Sequence, residues 1–532
     1  MRVLPDILKK SRFCTVCIIV GMMFFSTGCS EFPVKWPVAE DPASAPAANG
    51  PDNAPTSLGL TPDLDYEKPV LTSHIETDQL GYLNKSRKIA VFRGDVLADT
   101  FDIVSAYSGD VVYTGEIKSK SVQGTGETYY YGDFSDFTTS GRFCIKTDVI
   151  GYSYPFDIGY DIYDGVLPDA LKQYYLNRCG MSLTAVYAGD SVRNACHTDP
   201  VPLQTDAGTR LDVSGGWHVS TSGDRDVIKG CNTIETLLLA FEYNPEAFTA
   251  DTGIPESSDE IPDILDEIRI ETDWLLKMQD ASTGAVYAGV ISTDKGLGLD
   301  NPVFIAPTDM SATLSFASSL AYFSYIYQTY DTEYATTCLQ AADRAMKYAA
   351  RFEETTDDDE YFRAAAMLYR ATGYANYKSI VENYASSRTE YNIADNAVFS
   401  GVVTYLATKQ KTDPKICNVM MNGLRSFAEN TASKRRDVLY LLENGMQIAD
   451  QQAILSEIAR LTVANYIVSS NEYENVCEQY LHFFLGCNPY NTCYVGTYGS
   501  LNISDKTPAM DIFRQPENDA YFILLLSGIV KN

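Results

Sequence analysis

Residues 215–242, GGWHVSTSGDRDVIKGCNTIETLLLAFE, open on a Gly-Gly turn that leads straight into a helix. Val227, Ile228, Cys231, Ile234, Leu237, Leu238 and Phe241 recur at three- and four-residue steps, the period of one buried helical stripe. The spacing predicts a core-facing helix. The loop feeding it is polar and glycine-rich and lies at the helix N-terminus, where backbone N–H groups lack intrahelical partners and where helical enzymes commonly place their chemistry.

The same period continues downstream. Helices are predicted near 167–179, 227–243, 261–279, 309–330, 332–351, 361–372, 375–385, 395–408, 416–429, 447–466, 472–485 and 518–530, so that beyond Tyr160 the chain reads as helical to its end. About twelve helices in one domain suit paired helices closed into a ring; periodicity alone also allows a solenoid. Upstream, over 71–159, the pattern changes to short alternating runs at 88–92, 100–104, 111–114, 128–131, 142–146 and 154–158, with Ser108-Gly109-Asp110 as a hairpin turn. Six or seven strands at that spacing predict a small β-sandwich.

The first 29 residues have a basic start (Arg2, Lys9, Lys10, Arg12), an apolar run over 14–25 and then Ser26-Thr27-Gly28-Cys29. The run is short for a bilayer span and ends in small residues, which is the pattern of a secretory signal. The ending resembles a bacterial lipoprotein box, which implies lipidation at Cys29; the alternative is an ordinary signal peptide cleaved nearby. Residues 30–70, rich in Pro, Ala, Asp and Asn, read as a flexible tether. The expected location is therefore a bacterial cell envelope, lipid-anchored, on a face of the outer membrane.

The formal net charge of -29, from 41 basic against 70 acidic residues in 532, excludes nucleic acid as a partner, because phosphate backbones would be repelled. Neutral polysaccharide is compatible with it. Of twelve cysteines, three fall within the first 29 residues, and the remaining nine cannot all pair. Cys231 and Cys338 lie on apolar stripes, where cysteine behaves as a small hydrophobe.

The string Asp212-Val-Ser-Gly-Gly-Trp-His218 and the helix ending Leu237-Leu-Leu-Ala-Phe-Glu242 resemble glycoside hydrolase family 9, the inverting endoglucanases. Further anchors are Gln173-Tyr-Tyr-Leu-Asn-Arg-Cys-Gly180, Ala195-Cys-His197, Ile261-Pro-Asp-Ile-Leu-Asp-Glu267, Trp274-Leu-Leu-Lys-Met-Gln279, Leu368-Tyr-Arg-Ala-Thr-Gly373 and Phe484-Leu-Gly-Cys-Asn-Pro489. The resemblance decides for a multidomain fold: an all-β immunoglobulin-like sandwich over 71–159, opened by Asp78-Gln-Leu-Gly-Tyr82, then an all-α (α/α)6 barrel over 160–532. It implies that the sandwich braces the barrel, with a role as a separate sugar binder as the alternative. It also implies a structural zinc on Cys179, Cys196, His197 and His218, two thiolates and two imidazoles being the ligand set of a closed tetrahedral site. The residues alone equally allow buried thiols or a disulfide with hydrogen-bonded histidines.

The family inverts with a base aspartate in an Asp-Ala-Gly-Asp loop and a glutamate acid before the last helix. Here the loop reads Val219-Ser220-Thr221-Ser222, and neither valine nor serine deprotonates water at neutral pH. Asp224 and Asp226 follow at the helix start, where the helix dipole favours carboxylates anyway. The acid position falls near Phe513, and Glu517 is the nearby glutamate. After Asn488-Pro489 no histidine follows where the family has His-His-Arg. Trp217, Tyr490 and Tyr494 are candidate rings for stacking on sugar faces. Three functions follow as expectations: an impaired or non-catalytic binder of β-linked glucan, a working endo-β-1,4-glucanase using Asp224 as base and Glu517 as acid, or a structural protein with a closed cleft.

Overall fold

The computed structural model describes residues 73–121, 128–293, 298–355, 358–435, 451–489, 491–495 and 515–530. Cys29, the 30–70 segment, Tyr490 and Phe513 lie outside them. Among the described residues no helix is long and apolar enough to cross a membrane.

The sandwich comprises β1 (Ile75–Glu76), β2 (Gly81–Leu83), β3 (Ile89–Phe92), β4 (Thr100–Ser105), β5 (Val111–Glu116), β6 (Lys118–Ser121), β7 (Thr128–Asp133), β8 (Gly141–Thr147), β9 (Gly151–Tyr152) and β10 (Phe156–Gly159). One sheet runs β1-β3-β7-β6; the other runs β2-β10-β8-β4-β5, with β9 on β8. Alternation sends Phe101 and Ile103 of β4 and Phe143 and Ile145 of β8 into one core, where the Tyr82 ring lies edge-on to Phe134 at 5.3 Å and to Phe156 at 5.4 Å. The Asp78–Tyr82 turn also docks on the helical domain. His482 Nδ1 lies 2.8 Å from Asp78 Oδ2, and Leu485 O accepts the Gln79 N–H at 2.8 Å. The sandwich is therefore packed into the larger domain through buried polar contacts, in keeping with a brace.

The helices are α1 (Val166–Asn177), the single turn α2 (Ala185–Ala188), α3 (Val227–Tyr243), α4 (Asp263–Lys277), α5 (Met310–Tyr327), α6 (Thr332–Ala349), α7 (Asp358–Thr372), α8 (Ala375–Ser386), α9 (Asn396–Ala407), α10 (Pro414–Arg435), α11 (Gln451–Ile467), α12 (Asn471–Phe484) and α13 (Pro516–Ile529). They form an (α/α)6 barrel. α3 packs on α5, α5 on α7, α7 on α9, α11 on α13, and α13 back on α3. Arg460 of α11 stands 5.9 Å from the Phe399 ring of α9, which closes the inner ring. α1, α4, α6, α8, α10 and α12 pack outside.

Sequence separates the two layers. α5, MSATLSFASSLAYFSYIY, and α13, PENDAYFILLLSGI, carry almost no charge beyond their first turns and are buried nearly all round, as inner helices must be. α6 and α12 confine their apolar residues to one face. α3 itself is buried on more than its predicted stripe: Thr233, Glu235 and Thr236 are enclosed as well.

The expectation of helix to the end beyond Tyr160 is corrected by seven short strands. These are β11 (Val201–Pro202), β12 (Arg210–Leu211), β13 (Arg225–Asp226), β14 (Val286–Tyr287), β15 (Gly289–Ser292), β16 (Val303–Ile305) and β17 (Thr308–Asp309). Strands of two to four residues are too short to display a period. β13, β15 and β16 form one small sheet that holds the chain immediately before α3.

Candidate metal centre and barrel mouth

The Gly-Gly turn brings four distant residues together. Gly215 and Gly216 have φ of 108° and 76°, and a Cβ on Gly216 would lie 2.8 Å from the Trp274 ring. Only glycine is free of both penalties. The turn lets 216–218 pair against the end of α1: Cys179 N–H donates to Gly216 O at 2.7 Å, and His218 N–H to Asn177 O at 2.9 Å. A bridge between Leu183 and Arg193 then folds the following loop back so that Cys196 and His197 arrive beside Cys179.

The potential ligand atoms of Cys179, Cys196, His197 and His218 all lie within 4.8 Å of one another. The two sulfurs are 3.9 Å apart, Cys179 Sγ is 3.6 Å from His197 Nδ1, and Cys196 Sγ is 3.5 Å from His218 Nε2. A tetrahedral zinc with ordinary Zn–S and Zn–N lengths demands edges of about 3.8 Å (S···S) and about 3.5 Å (S···N), so these residues fit that group. Burial lowers the His218 pKa, favouring the neutral ring that ligates. Hydrogen bonding by Cys179 and by the His197 and His218 rings holds Cys196 toward the thiolate. No cysteine is in a disulfide among the described residues, leaving these thiols available as ligands.

Beneath the turn, Arg178 is completely buried and paired with Glu267 at 2.7 Å and Glu256 at 2.9 Å. Burial pushes the Glu267 carboxyl up to about 7 against the pull of Arg178. Glu271 accepts the Trp217 N–H at 2.7 Å, and burial pushes it up to about 8.

The N-terminal turns of the inner helices meet at one end of the barrel, its mouth. There Asn232 of α3 links three of them: its Oδ1 accepts from Arg363 Nη2 of α7 at 2.9 Å and Asn396 Nδ2 of α9 at 3.1 Å, while its Nδ2 donates to Glu517 Oε1 of α13 at 3.4 Å. Tyr521 O–H donates to the same Glu517 oxygen at 3.3 Å. Arg363 is buried against Glu235, which also accepts from Ser400 at 2.6 Å. At the opposite end Arg370 pairs with Glu242, and Asn244 Nδ2 donates to Ser527 O at 2.8 Å, fixing α3, α7 and α13 in parallel.

The two carboxyls expected as a catalytic pair are held by different partners. Asp224 turns toward β15, Oδ1 accepting the Ser292 N–H at 2.6 Å and Oδ2 the Ser220 O–H at 2.8 Å. Burial raises the Glu517 carboxyl most; the Tyr521 and Asn232 hydrogen bonds and Lys229 oppose, and Asp226 adds to the rise. Asp226 caps α3, accepting the Lys229 N–H at 2.9 Å. The proposed stacking role of Trp217 is corrected: pairing of 216–218 with α1 turns its ring into the core, 4.7 Å from Tyr174, with only 1% exposed. Tyr494 is corrected likewise, being buried between Phe483 at 6.2 Å and Phe484 at 6.4 Å. Neither ring offers a face to a sugar.

Sequence reasoning passed over Asn232, Glu235 and Arg363. Asn232 and Glu235 left a signal as polar residues three apart inside the apolar α3, but their partner Arg363, on α7, has no local mark.

Residues 163–509 match the sequence profile described as Glycosyl hydrolase family 9. The chain belongs to that family. Residues 71–151 match the Cellulase N-terminal ig-like domain. Endoglucanase D of Acetivibrio thermocellus is 27% identical over 480 residues, covering 84% of this chain and 76% of its own. A metagenome-derived family 9 endoglucanase superposes with a TM-score of 0.76 at 24% identity, covering 86% of this chain and 98% of its own. A Zn-binding triple mutant of the family 9 endoglucanase J30 superposes with a TM-score of 0.72 at 22% identity, covering 84% and 99%.

Proposed function

We propose that this family 9 protein binds a neutral β-linked glucan at the barrel mouth without hydrolysing it efficiently, as an envelope lipoprotein of polysaccharide utilisation anchored through Cys29. The observation that carries the reading is the state of the loop before α3. Its one carboxyl between Trp217 and Arg225, Asp224, has both oxygens committed to Ser292 and Ser220, so it is poorly placed to take a proton from water. The name of the Acetivibrio relative supports a β-glucan as ligand class. Fold alone does not assign activity, since function belongs to the site. The apolar run before Cys29 supports the anchor.

Cys179, Cys196, His197 and His218 hold a zinc ion in this reading, supported by the sulfur and nitrogen spacings and by the Zn-binding J30 mutant. Four protein ligands complete a tetrahedron, so the metal would tie the α1 end, the 193–197 loop and the Gly-Gly turn together rather than activate water.

The test is reducing-sugar release by residues 30–532 on β-1,4- and mixed-linkage glucans, xyloglucan and xylan, alongside retardation in gels containing each polymer. Retardation without turnover is expected. The placement of Asp226 at the start of α3 and Glu517 at the start of α13, two helices packed together, favours one second reading, a hydrolase using that pair. Turnover that disappears in both Asp226→Asn and Glu517→Gln would establish it in place of the first.

A further inference from the structure

The Cys/His cluster has a closed side and an open one. Cys179 and His218 are buried, whereas Cys196 and His197 are half-buried and line a cleft of about 590 Å³ between the 193–202 loop and the 299–303 segment. The cleft is the side from which solvent meets the cluster, and Arg193 lines it too. Its backbone is fixed first: Leu183 N–H donates to Arg193 O at 2.9 Å, and Arg193 N–H to Leu183 O at 3.2 Å. From that anchor the guanidinium reaches two acceptors. Nη1 donates to Cys196 Sγ at 3.3 Å, and Nη2 donates to Arg178 O, the carbonyl of the peptide bond that leads into Cys179. One side chain thus joins the two thiol-bearing segments. A planar guanidinium carries donors on separate nitrogens in a fixed fork, so the sulfur and the carbonyl do not compete for it.

Resting on the zinc reading, we propose that Arg193 is a positioning residue of the metal centre, a clamp on the cleft side that holds Cys196 against Cys179 in ligating geometry and slows loss of the ion to the cleft. A hydrogen-bond donor on a ligating sulfur fixes the direction in which that sulfur faces the metal, and groups of this kind set affinity although they do not touch the ion. Without the clamp, Cys196 stands on a half-exposed loop and is free to swing toward the cleft.

The test separates a clamp from an arginine that serves only the fold. Residues 30–532 loaded with zinc are mixed with a chromogenic chelator, at concentrations where release no longer depends on the chelator. Arg193→Ala should release zinc about tenfold faster and bind it about 10–100-fold more weakly in competition. Arg193→Lys keeps the charge but lacks the fork, and should recover only part of the difference. Arg210→Ala removes an equal charge from the same cleft, where Arg210 donates to Pro200 O at 3.0 Å, and should release zinc at the wild-type rate. With cobalt in place of zinc, the sulfur-to-metal absorption should shift in Arg193→Ala and stay unchanged in Arg210→Ala. Thermal melting of each loaded variant confirms that the fold is kept; should Arg193→Ala fail to fold, Arg193→Lys carries the same comparison. Wild-type release and an unchanged cobalt spectrum in the Arg193 variants, or equal acceleration in Arg210→Ala, would overturn this inference alone. Wild-type protein that binds no zinc would overturn it together with the reading on which it rests.

Discussion

Glu271 Oε2, on α4, accepts the backbone N–H of Trp217 at 2.7 Å and so ties the Gly-Gly turn to the helix packed beneath it. The carboxyl is fully enclosed and lies against Gly230 of α3, where any side chain would collide with Oε1. Burial pushes Glu271 up to about 8, well above the usual glutamate value of about 4.3. Between those values the folded state holds a proton that the unfolded chain has released. Stability therefore falls as pH rises through that window and levels off above it. Asp266 and Glu267, both pushed up to about 7 chiefly by burial, act in the same direction. Urea midpoints between about pH 5 and about pH 9 should fall in the wild type and fall less in Glu271→Gln. Glu271→Ala, which strands the Trp217 N–H, should cost about 2–4 kcal/mol.

The four-ligand cluster makes a prediction about composition and one about stability. Elemental analysis of unchelated protein should find close to one zinc per chain. Chelation, or Cys179→Ser, should lower the melting temperature by roughly 5–10 °C, because the ion joins segments otherwise linked by few backbone hydrogen bonds. Metal-free protein that melts at the same temperature after chelation would remove the zinc assignment.

Asp224 should behave as a tie and not as a base. Asp224→Ala strands the Ser292 N–H and the Ser220 hydroxyl, with an expected cost of about 1–3 kcal/mol in chemical denaturation. Sugar release, if any is measurable, should be unchanged once the fraction folded is matched. A selective loss of turnover in a fully folded Asp224→Asn protein would return the base role to this residue.

The sequence made the helices legible because each inner or outer helix writes its environment into a 3.6-residue period over three turns or more. All twelve predicted segments overlap observed helices. β6, with its KSKS polar edge, and the two-residue β11 carry no comparable signal. The Cys/His cluster was legible only through the family resemblance, since residues 179, 196, 197 and 218 are joined by loops whose path depends on the positive φ of Gly215 and Gly216. Trp217 shows the limit of residue type as a guide. Tryptophan suits both a sugar platform and a core, and the antiparallel pairing with α1 that chooses between them is a tertiary event.

The buried pair of Arg363 and Glu235 offers a test that joins stability to the mouth. The guanidinium contacts Glu235 at 2.8 Å and Asn232 Oδ1 at 2.9 Å, so one side chain both neutralises a buried carboxylate and fixes an amide. Arg363→Met leaves Glu235 uncompensated and should cost about 3–5 kcal/mol. The double variant Arg363→Met with Glu235→Gln should cost less than the sum of the single changes, because no buried charge remains unpaired. Glucan retardation should not recover with stability. Without Arg363, Asn396 is the sole remaining donor to Asn232 Oδ1 among the described residues, the amide is free to turn, and Glu517 loses its fixed partner. A double variant that regained full glucan retardation along with its stability would show that Arg363 serves the fold alone.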